Sequence, residues 1–174
     1  YDGGEDKASS ARAEGIQAHL WSEVVRHDSV AEYMYFPRLV AFAQKAWHEY
    51  DWQQKARQLS EQELKQQINE SWQRFSTTMS KYYLPRLASL GVNFRVPPPG
   101  AKFYDNTLYM NNEFPNTKLF FSVDGVNFIP YQQPIEIDKA EVIYLQARFA
   151  TRKSLTLELP IKEENMANAL LNQD

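Results

Sequence analysis

The sequence has 174 residues, of which 43% are hydrophobic and 24% are charged, so its composition is that of a folded globular protein. A net charge of -3 excludes the basic excess that phosphate contacts require, and we therefore expect no nucleic-acid partner. Because the sequence contains no cysteine, disulfides and thiolate metal sites are excluded. No apolar run reaches the ~18–20 residues of a membrane-spanning helix, so we expect no membrane span.

The first residues predict an exposed leader followed by a strand. Residues 1–14 are small and charged and show no apolar periodicity. The sequence then alternates, with Ile16, Ala18 and Leu20 on one face of a predicted strand and large side chains on the other. A strand with large groups on both faces is usually covered on both sides. We therefore predict a wall strand of a parallel sheet or barrel over residues 15–23.

Helical patterns follow this strand, as a βα unit requires. Ser29 with Glu32, and Ser60 with Glu63, have the three-residue spacing of capping boxes, which mark the starts of two helices. Pro37 has no amide hydrogen, so it predicts a break between two collinear helical pieces.

The pattern changes after Gly91, which we predict to end the last helix in a left-handed conformation. Pro97–Gly100 can carry neither a helix nor a central strand. The runs beyond it predict strands over residues 101–104, 107–110, 119–123, 127–129, 135–137, 142–149 and 155–159. Asp124-Gly125 is a strong signal for a β-hairpin. About seven short strands predict an immunoglobulin-like antiparallel sandwich.

Two groupings of chemically active side chains are better explained without a site. His19, Glu23 and His27 are spaced by four, as a helical metal site requires, but the pattern there predicts a strand. Glu5 and Asp6 are adjacent carboxylates in the predicted leader, where nothing holds or desolvates them. The sequence also has no nucleophile elbow and no phosphate-binding loop. We predict no metal site and no cofactor.

Trp21 and Glu23 form the one candidate binding site. They lie at the C-terminal end of the predicted two-sided strand, where barrels of alternating strands and helices build their ligand sites. Residues two apart on a strand point to the same side, so an indole and a carboxylate are presented together, which suits a sugar. The structural alternative, a tryptophan packed under the barrel and a surface glutamate, remains open at this point.

Three blocks of the sequence carry a family resemblance: residues 15–23 (Gly-Ile-Gln-Ala-His-Leu-Trp-Ser-Glu), 32–39 (Glu-Tyr-Met-Tyr-Phe-Pro-Arg-Leu) and 43–48 (Ala-Gln-Lys-Ala-Trp-His). They resemble the last barrel strand and last helix of the family 20 glycoside hydrolases, and most closely the bacterial chitobiase-type β-N-acetylhexosaminidases. Residues 90–97 and 122–125 are similar to parts of the immunoglobulin-like C-terminal domain of these enzymes. The resemblance extends over most of the chain.

The resemblance implies an α+β fragment, in which the last strand and helices of a (β/α)8 TIM barrel precede an immunoglobulin-like antiparallel β-sandwich. We therefore expect residues 1–14 to be an exposed leader and residues 15–91 to be the C-terminal end of the barrel catalytic domain. Residues 92–161 are expected to be the immunoglobulin-like domain. Residues 162–174 are expected to be a polar tail.

The same resemblance implies an exo-acting hydrolase that removes terminal N-acetylglucosamine from chitooligosaccharides by substrate-assisted, retaining catalysis. Its catalytic Asp-Glu pair belongs to an earlier barrel strand, and the dipeptide Asp-Glu does not occur in this sequence. We expect the chain alone to be inactive and its partner to be the remainder of the barrel. Trp21 matches the tryptophan that packs on the sugar, and Glu23 matches the carboxylate that accepts its hydroxyl hydrogen bonds. A periplasmic or extracellular location is implied.

A non-catalytic carbohydrate- or protein-binding sandwich with a helical stalk is the alternative. Alignment of Tyr104, Tyr109 and Tyr131 on one sheet face would favour it. The fragment interpretation has a different consequence, because a barrel strand and helix without their neighbours leave apolar surface uncovered. It predicts association of the chain, or disorder of residues 1–28.

Overall fold

The computed structural model describes residues 15–138 and 140–161. The predicted leader and polar tail lie outside these residues. The helices are α1 (Asp28–Tyr35), α2 (Arg38–Trp47), α3 (Asp51–Lys55), α4 (Glu61–Thr78) and α5 (Leu84–Ser89), with a π-helical turn over Met79–Tyr83 between α4 and α5. The strands are β1 (Gly100–Tyr104), β2 (Thr107–Asn111), β3 (Lys118–Ser122), β4 (Ile129–Tyr131), β5 (Ile135–Glu136), β6 (Val142–Phe149), β7 (Arg152–Lys153) and β8 (Leu157–Pro160).

Residues 15–23 do not form the predicted wall strand. A strand needs a hydrogen-bonded neighbour, and every strand in the described part of the chain lies at or beyond Gly100 and pairs with another of that group. The segment 15–27 is mostly exposed instead. Residues 15–23 therefore alternate as a strand would, but no described strand pairs with them.

Of the two predicted capping boxes, one forms. Ser60 and Glu63 cap α4 reciprocally: the Glu63 amide donates to Ser60 Oγ at 3.3 Å, and the Ser60 amide donates to Glu63 Oε2 at 2.9 Å. The prediction for Ser29 and Glu32 is wrong, because α1 begins at Asp28 after His27 and has no side-chain cap. The Glu32 carboxylate has another partner, described below.

Two backbone-directing residues act as predicted. Pro37 separates α1 from α2, since its ring lacks the amide hydrogen that a continuous helix needs. Gly91 has φ +76° and follows α5 in a Schellman motif. In this motif the Val92 amide donates to the Leu87 carbonyl at 3.0 Å, and the Gly91 amide donates to the Ala88 carbonyl at 3.1 Å.

The second half of the chain is an antiparallel sandwich, as predicted. One sheet has the order β1-β2-β5, and the other has the order β4-β3-β6-β7 with β8 also paired to β6. The predicted hairpin around Asp124-Gly125 exists, with Phe121 opposite Ile129 in the ladder of β3 and β4. Its connection is a six-residue loop from Val123 to Phe128 and not a two-residue turn.

The buried side chains form two clusters. One lies inside the sandwich and includes Leu108, Ile143 and Leu145. The other joins helix to sheet, because Met79 and Leu84 pack in the same cluster as Phe149. The helical region and the sandwich therefore share a core. Among the described residues, no helix combines the length and apolar character needed to cross a membrane.

Candidate functional site

Trp21 lies on the segment that precedes α1, and its indole is 76% exposed. Its ring stacks on the imidazole of His19, with ring centroids 6.2 Å apart and planes 24° apart. The two side chains are two positions apart and lie on the same side of the segment. The described residues therefore leave the indole uncovered and free to contact a ligand.

Glu23 lies in a turn that follows the indole. The Val25 amide donates to the Ser22 carbonyl at 3.1 Å, which places Glu23 and Val24 at the two central positions of the turn. The Glu23 side chain is exposed, as is that of Trp21. Because a turn does not alternate its side chains as a strand does, the expected same-side presentation of Trp21 and Glu23 does not follow from the backbone here.

Asn93 holds α1 against the chain that leads into the sandwich. Its amide donates to Glu32 Oε2 at 2.7 Å, and its Nδ2 donates to the Ser29 carbonyl at 2.8 Å. Its Oδ1 accepts from Arg152 Nη1, also at 2.8 Å. No local sequence pattern indicated this role of Asn93, since it joins positions about sixty residues apart. Only the Val92-Asn93-Phe94 stretch within the family resemblance pointed to it.

The candidate metal grouping of His19, Glu23 and His27 is not assembled. Within the part of the chain that the structure describes, no three histidine, cysteine, aspartate or glutamate side chains converge as metal ligands. His19 stacks on Trp21, and His27 precedes α1 without a capping bond. The site residues that remain are Trp21 and Glu23.

Comparisons with known proteins match both halves of the chain. The family model for the glycosyl hydrolase family 20 catalytic domain matches residues 2–50. The model for the chitobiase/beta-hexosaminidase C-terminal domain matches residues 83–156. N,N'-diacetylchitobiase of Vibrio harveyi is 34% identical over 154 residues, which cover 85% of this chain and 17% of that protein.

These matches support a C-terminal fragment of a family 20 chitobiase-type enzyme.

Two further relatives match shorter parts of the chain. Beta-hexosaminidase of Vibrio vulnificus is 29% identical over 67% of the chain, and beta-hexosaminidase B of Pseudoalteromonas piscicida is 44% identical over 35% of it. The chain spans only 17%, 16% and 9% of the lengths of the three relatives. The order of the two family matches confirms the predicted fold class, a barrel end followed by a sandwich.

The last helix in the catalytic-domain match exposes an apolar face. Leu39, Ala43 and Trp47 recur every four residues along α2 and are all exposed, and Trp47 is 91% exposed. On another face of the same helix, Val40 packs against the core that helices and sandwich share. Helix α2 is therefore apolar on two sides, and the described residues cover one of them.

The three tyrosines of the alternative interpretation do not align on one sheet face. Tyr104 and Tyr109 belong to β1 and β2, whereas Tyr131 belongs to β4 in the other sheet. The Tyr131 hydroxyl accepts from the Met110 amide at 3.0 Å, so it joins the two sheets. Lys102 Nζ lies 5.0 Å from the centre of the Tyr109 ring. These three tyrosines therefore do not form the aromatic platform that would favour a binding module.

Proposed function

We propose that this chain supplies the end of the substrate site of an exo-acting β-N-acetylhexosaminidase. In this proposal the indole of Trp21 packs on the face of the terminal sugar ring. The Glu23 carboxylate accepts hydrogen bonds from hydroxyl groups of the same ring. The substrate is an oligosaccharide with N-acetylglucosamine at its non-reducing end, cleaved by substrate-assisted, retaining chemistry.

The exposure of Trp21 is the observation that carries this proposal. A tryptophan that is 76% exposed contributes little to the core, so its position calls for a partner outside the described residues. It lies inside the match to the family 20 catalytic domain, next to an exposed carboxylate. A flat apolar face beside a charged acceptor fits a sugar, which offers axial C–H groups and hydroxyl donors.

The bond-breaking groups belong to another part of the enzyme in this proposal. A carboxylic acid that protonates the leaving oxygen and a carboxylate that orients the acetamido group are both needed, and the sequence has no Asp-Glu dipeptide to supply them. The exposed face of α2 with Leu39, Ala43 and Trp47 is where we propose that the remainder of the barrel packs. The chain by itself then has a sugar-binding edge without hydrolytic activity.

We also propose a periplasmic or extracellular location, because the chitooligosaccharides proposed as substrates derive from a polymer outside the cell. Fractionation of cells that express the full-length gene product tests this. Hexosaminidase activity in the cytoplasmic fraction alone would contradict it.

The site is tested with the full-length gene product and an aryl N-acetyl-β-glucosaminide. Trp21→Ala should lower kcat/KM by about ten- to a hundredfold, since a stacked aromatic anchor contributes about 2 kcal/mol or more. Trp21→Phe should lower kcat/KM less than Trp21→Ala does, because phenylalanine keeps a smaller aromatic face. Tyr104→Ala, another exposed aromatic at 54% exposure, is the matched control and should leave kcat/KM unchanged.

Three results would contradict parts of this proposal. Equal kcat/KM for Trp21→Ala and the wild type would remove Trp21 from the site. Binding of chitooligosaccharides to the isolated chain that is lost in Tyr104→Ala but retained in Trp21→Ala would favour the binding-module alternative. Hydrolysis by the isolated chain would show that the catalytic pair does not have to come from elsewhere.

A further inference from the structure

We propose that Asn93 is a positioning residue for residues 15–27, here called the sugar-binding segment. Through Asn93, the sandwich fixes the placement of Trp21 and Glu23 on this segment. This inference rests on the proposed function for its catalytic readout. It goes beyond that function in giving the C-terminal sandwich a role in substrate binding.

Helix α1 and the residue that ends it are attached to the chain after Gly91 at three points. Asn93 binds the Ser29 carbonyl through Nδ2 and the Glu32 carboxylate through its backbone amide. The Arg95 amide donates to the carbonyl of Phe36, the C-cap of α1, at 3.0 Å. Ser29 lies near the start of α1, Glu32 near its middle, and Phe36 just after its last residue. The helix is therefore attached at both ends.

The other side of Asn93 is attached to the sandwich. Arg152 of β7 donates from Nη1 to Asn93 Oδ1, and its Nη2 lies 3.5 Å from the Gly91 carbonyl. The guanidinium also lies over the ring of Phe94, 4.9 Å from its centre, and Phe94 is only 2% exposed. Because Phe94 belongs to the shared core, Arg152 and Asn93 are held by packing as well as by hydrogen bonds.

Asn93 uses both its backbone amide and its side chain in these contacts. The backbone amide donates to the Glu32 carboxylate, the side-chain Nδ2 donates to the Ser29 carbonyl, and the side-chain Oδ1 accepts from the Arg152 guanidinium. Charge-assisted hydrogen bonds of this kind are stronger than neutral ones. The contact also joins the two family matches, because Glu32 lies in residues 2–50 and both Asn93 and Arg152 lie in residues 83–156.

Helix α1 in turn carries the sugar-binding segment. It begins at Asp28, and the turn that contains Glu23 closes at Val25, so only Arg26 and His27 lie between them. The segment 15–27 forms no sheet within the described residues, and α1 is its nearest ordered support along the chain. A change in the placement of α1 therefore moves Glu23 and Trp21 relative to a sugar bound in the barrel.

Kinetics of the full-length gene product provide the first test. Asn93→Ala should raise KM for the aryl glycoside by about three- to tenfold while changing kcat by less than about twofold, since coupling through packed residues is modest in size. Glu32→Ala should act in the same direction, and Glu32→Gln should recover most of the loss because its amide oxygen still accepts from the Asn93 amide. Asn127→Ala is the matched control: that asparagine also bonds a carboxylate, Asp124, but in the loop between β3 and β4.

A double-mutant cycle separates positioning from general loss of stability. If Asn93 acts through Glu23, the rise in KM caused by Asn93→Ala should largely disappear in a Glu23→Gln background. Additive effects of the two substitutions would overturn the proposal. So would a rise in KM that Asn127→Ala reproduces, because that outcome reports only a weakened fold.

Amide hydrogen exchange reads the same coupling without catalysis. Asn93→Ala should increase the exchange rate of the Val25 amide and of the first turn of α1, with the rates in β6 unchanged. Unchanged exchange at Val25 would overturn the positioning role whatever the enzyme's activity. If instead Glu23→Gln leaves KM unchanged while exchange at Val25 responds to Asn93→Ala, the sugar-binding assignment fails and the structural coupling stands.

Discussion

Strands were predicted over residues 15–23 and in the sandwich from the same kind of signal, yet only the sandwich forms them. Alternation along β3 and β6 is realised because each strand has a partner on at least one side, with Phe121 opposite Leu145 in their ladder. The alternation of residues 15–23 has no partner in the described chain, and the segment is mostly exposed. Periodicity thus indicates a capacity to form a strand, and the neighbour decides whether it forms.

The comparison also separates two roles of aromatic residues. Phe94 is 2% exposed and packs edge-on against Phe149, with ring centroids 6.0 Å apart, where it joins the helical region to the sandwich. Trp21 is the larger residue but lies almost outside the fold. Side-chain size alone therefore does not identify a core residue, and the free energy of unfolding should depend on these two aromatics very differently.

The largest expected effect follows from that contrast. Phe94→Ala should lower the free energy of unfolding by about 3–5 kcal/mol, because it removes a buried ring and leaves a cavity in the shared core. Trp21→Ala should change it by less than about 0.5 kcal/mol, as is usual for exposed positions. Urea denaturation of the chain measures both. Equal losses for the two variants would mean that Trp21 is buried in solution, which would contradict the contrast between Phe94 and Trp21.

Local signals in the sequence predicted much of the fold. The cap at Ser60, the break at Pro37 and the stop at Gly91 each depend on a few adjacent residues, and all three are present. The cap at Ser29 failed because α1 begins at Asp28, which places Ser29 inside the helix, and the Glu32 carboxylate accepts instead from the Asn93 amide, 61 residues away. The length of the loop after β3 also escaped prediction, since Asp124 organises it through hydrogen bonds that a dipeptide does not reveal.

The candidate site was predicted only in part. Residue types and family resemblance selected Trp21 and Glu23, and their assignment to a sugar site stays a prediction. The expectation that a strand presents them together depended on neighbouring strands, and no local pattern reports those. The contacts of Asn93 with α1 and Arg152 were beyond prediction for the same reason, because they depend on how two distant parts of the chain pack.

The second effect concerns binding and not folding. Glu23→Gln in the full-length gene product should weaken substrate binding by about 1.5–3 kcal/mol, the usual contribution of a hydrogen bond to a charged group. The free energy of unfolding should stay the same, since the side chain is exposed. Glu61→Gln, an exposed acid in the first turn of α4, is the control. Unchanged kinetics for Glu23→Gln would place its carboxylate outside the sugar site.

A smaller effect compares Gly15, in the exposed segment before α1, with Gly91, which follows α5. Gly91→Ala should lower the free energy of unfolding by about 1–2 kcal/mol, because an added Cβ is strained at φ +76° although no atom lies within 4 Å of it. Gly15→Ala also meets nothing within 4 Å, and no positive φ is involved, so it should have no measurable cost. A cost at Gly15 equal to that at Gly91 would show that the segment before α1 is more tightly held than its exposure indicates.

The smallest effect is at Asp124, in the loop between β3 and β4. Hydrogen bonds from the Ser122 hydroxyl, from the Asn127 and Val126 amides and from the Asn127 side chain hold the pKa of its carboxyl far below the ordinary value. A depressed pKa in the folded state adds stability above the unfolded pKa of about 3.9, and this stability is lost as the pH falls below it. Asp124→Asn should therefore lower Tm slightly at pH 7, and the difference from the wild type should shrink between about pH 5 and pH 2. Thermal unfolding across this range measures it, and a difference that is independent of pH would mean that the loop depends on shape and not on charge.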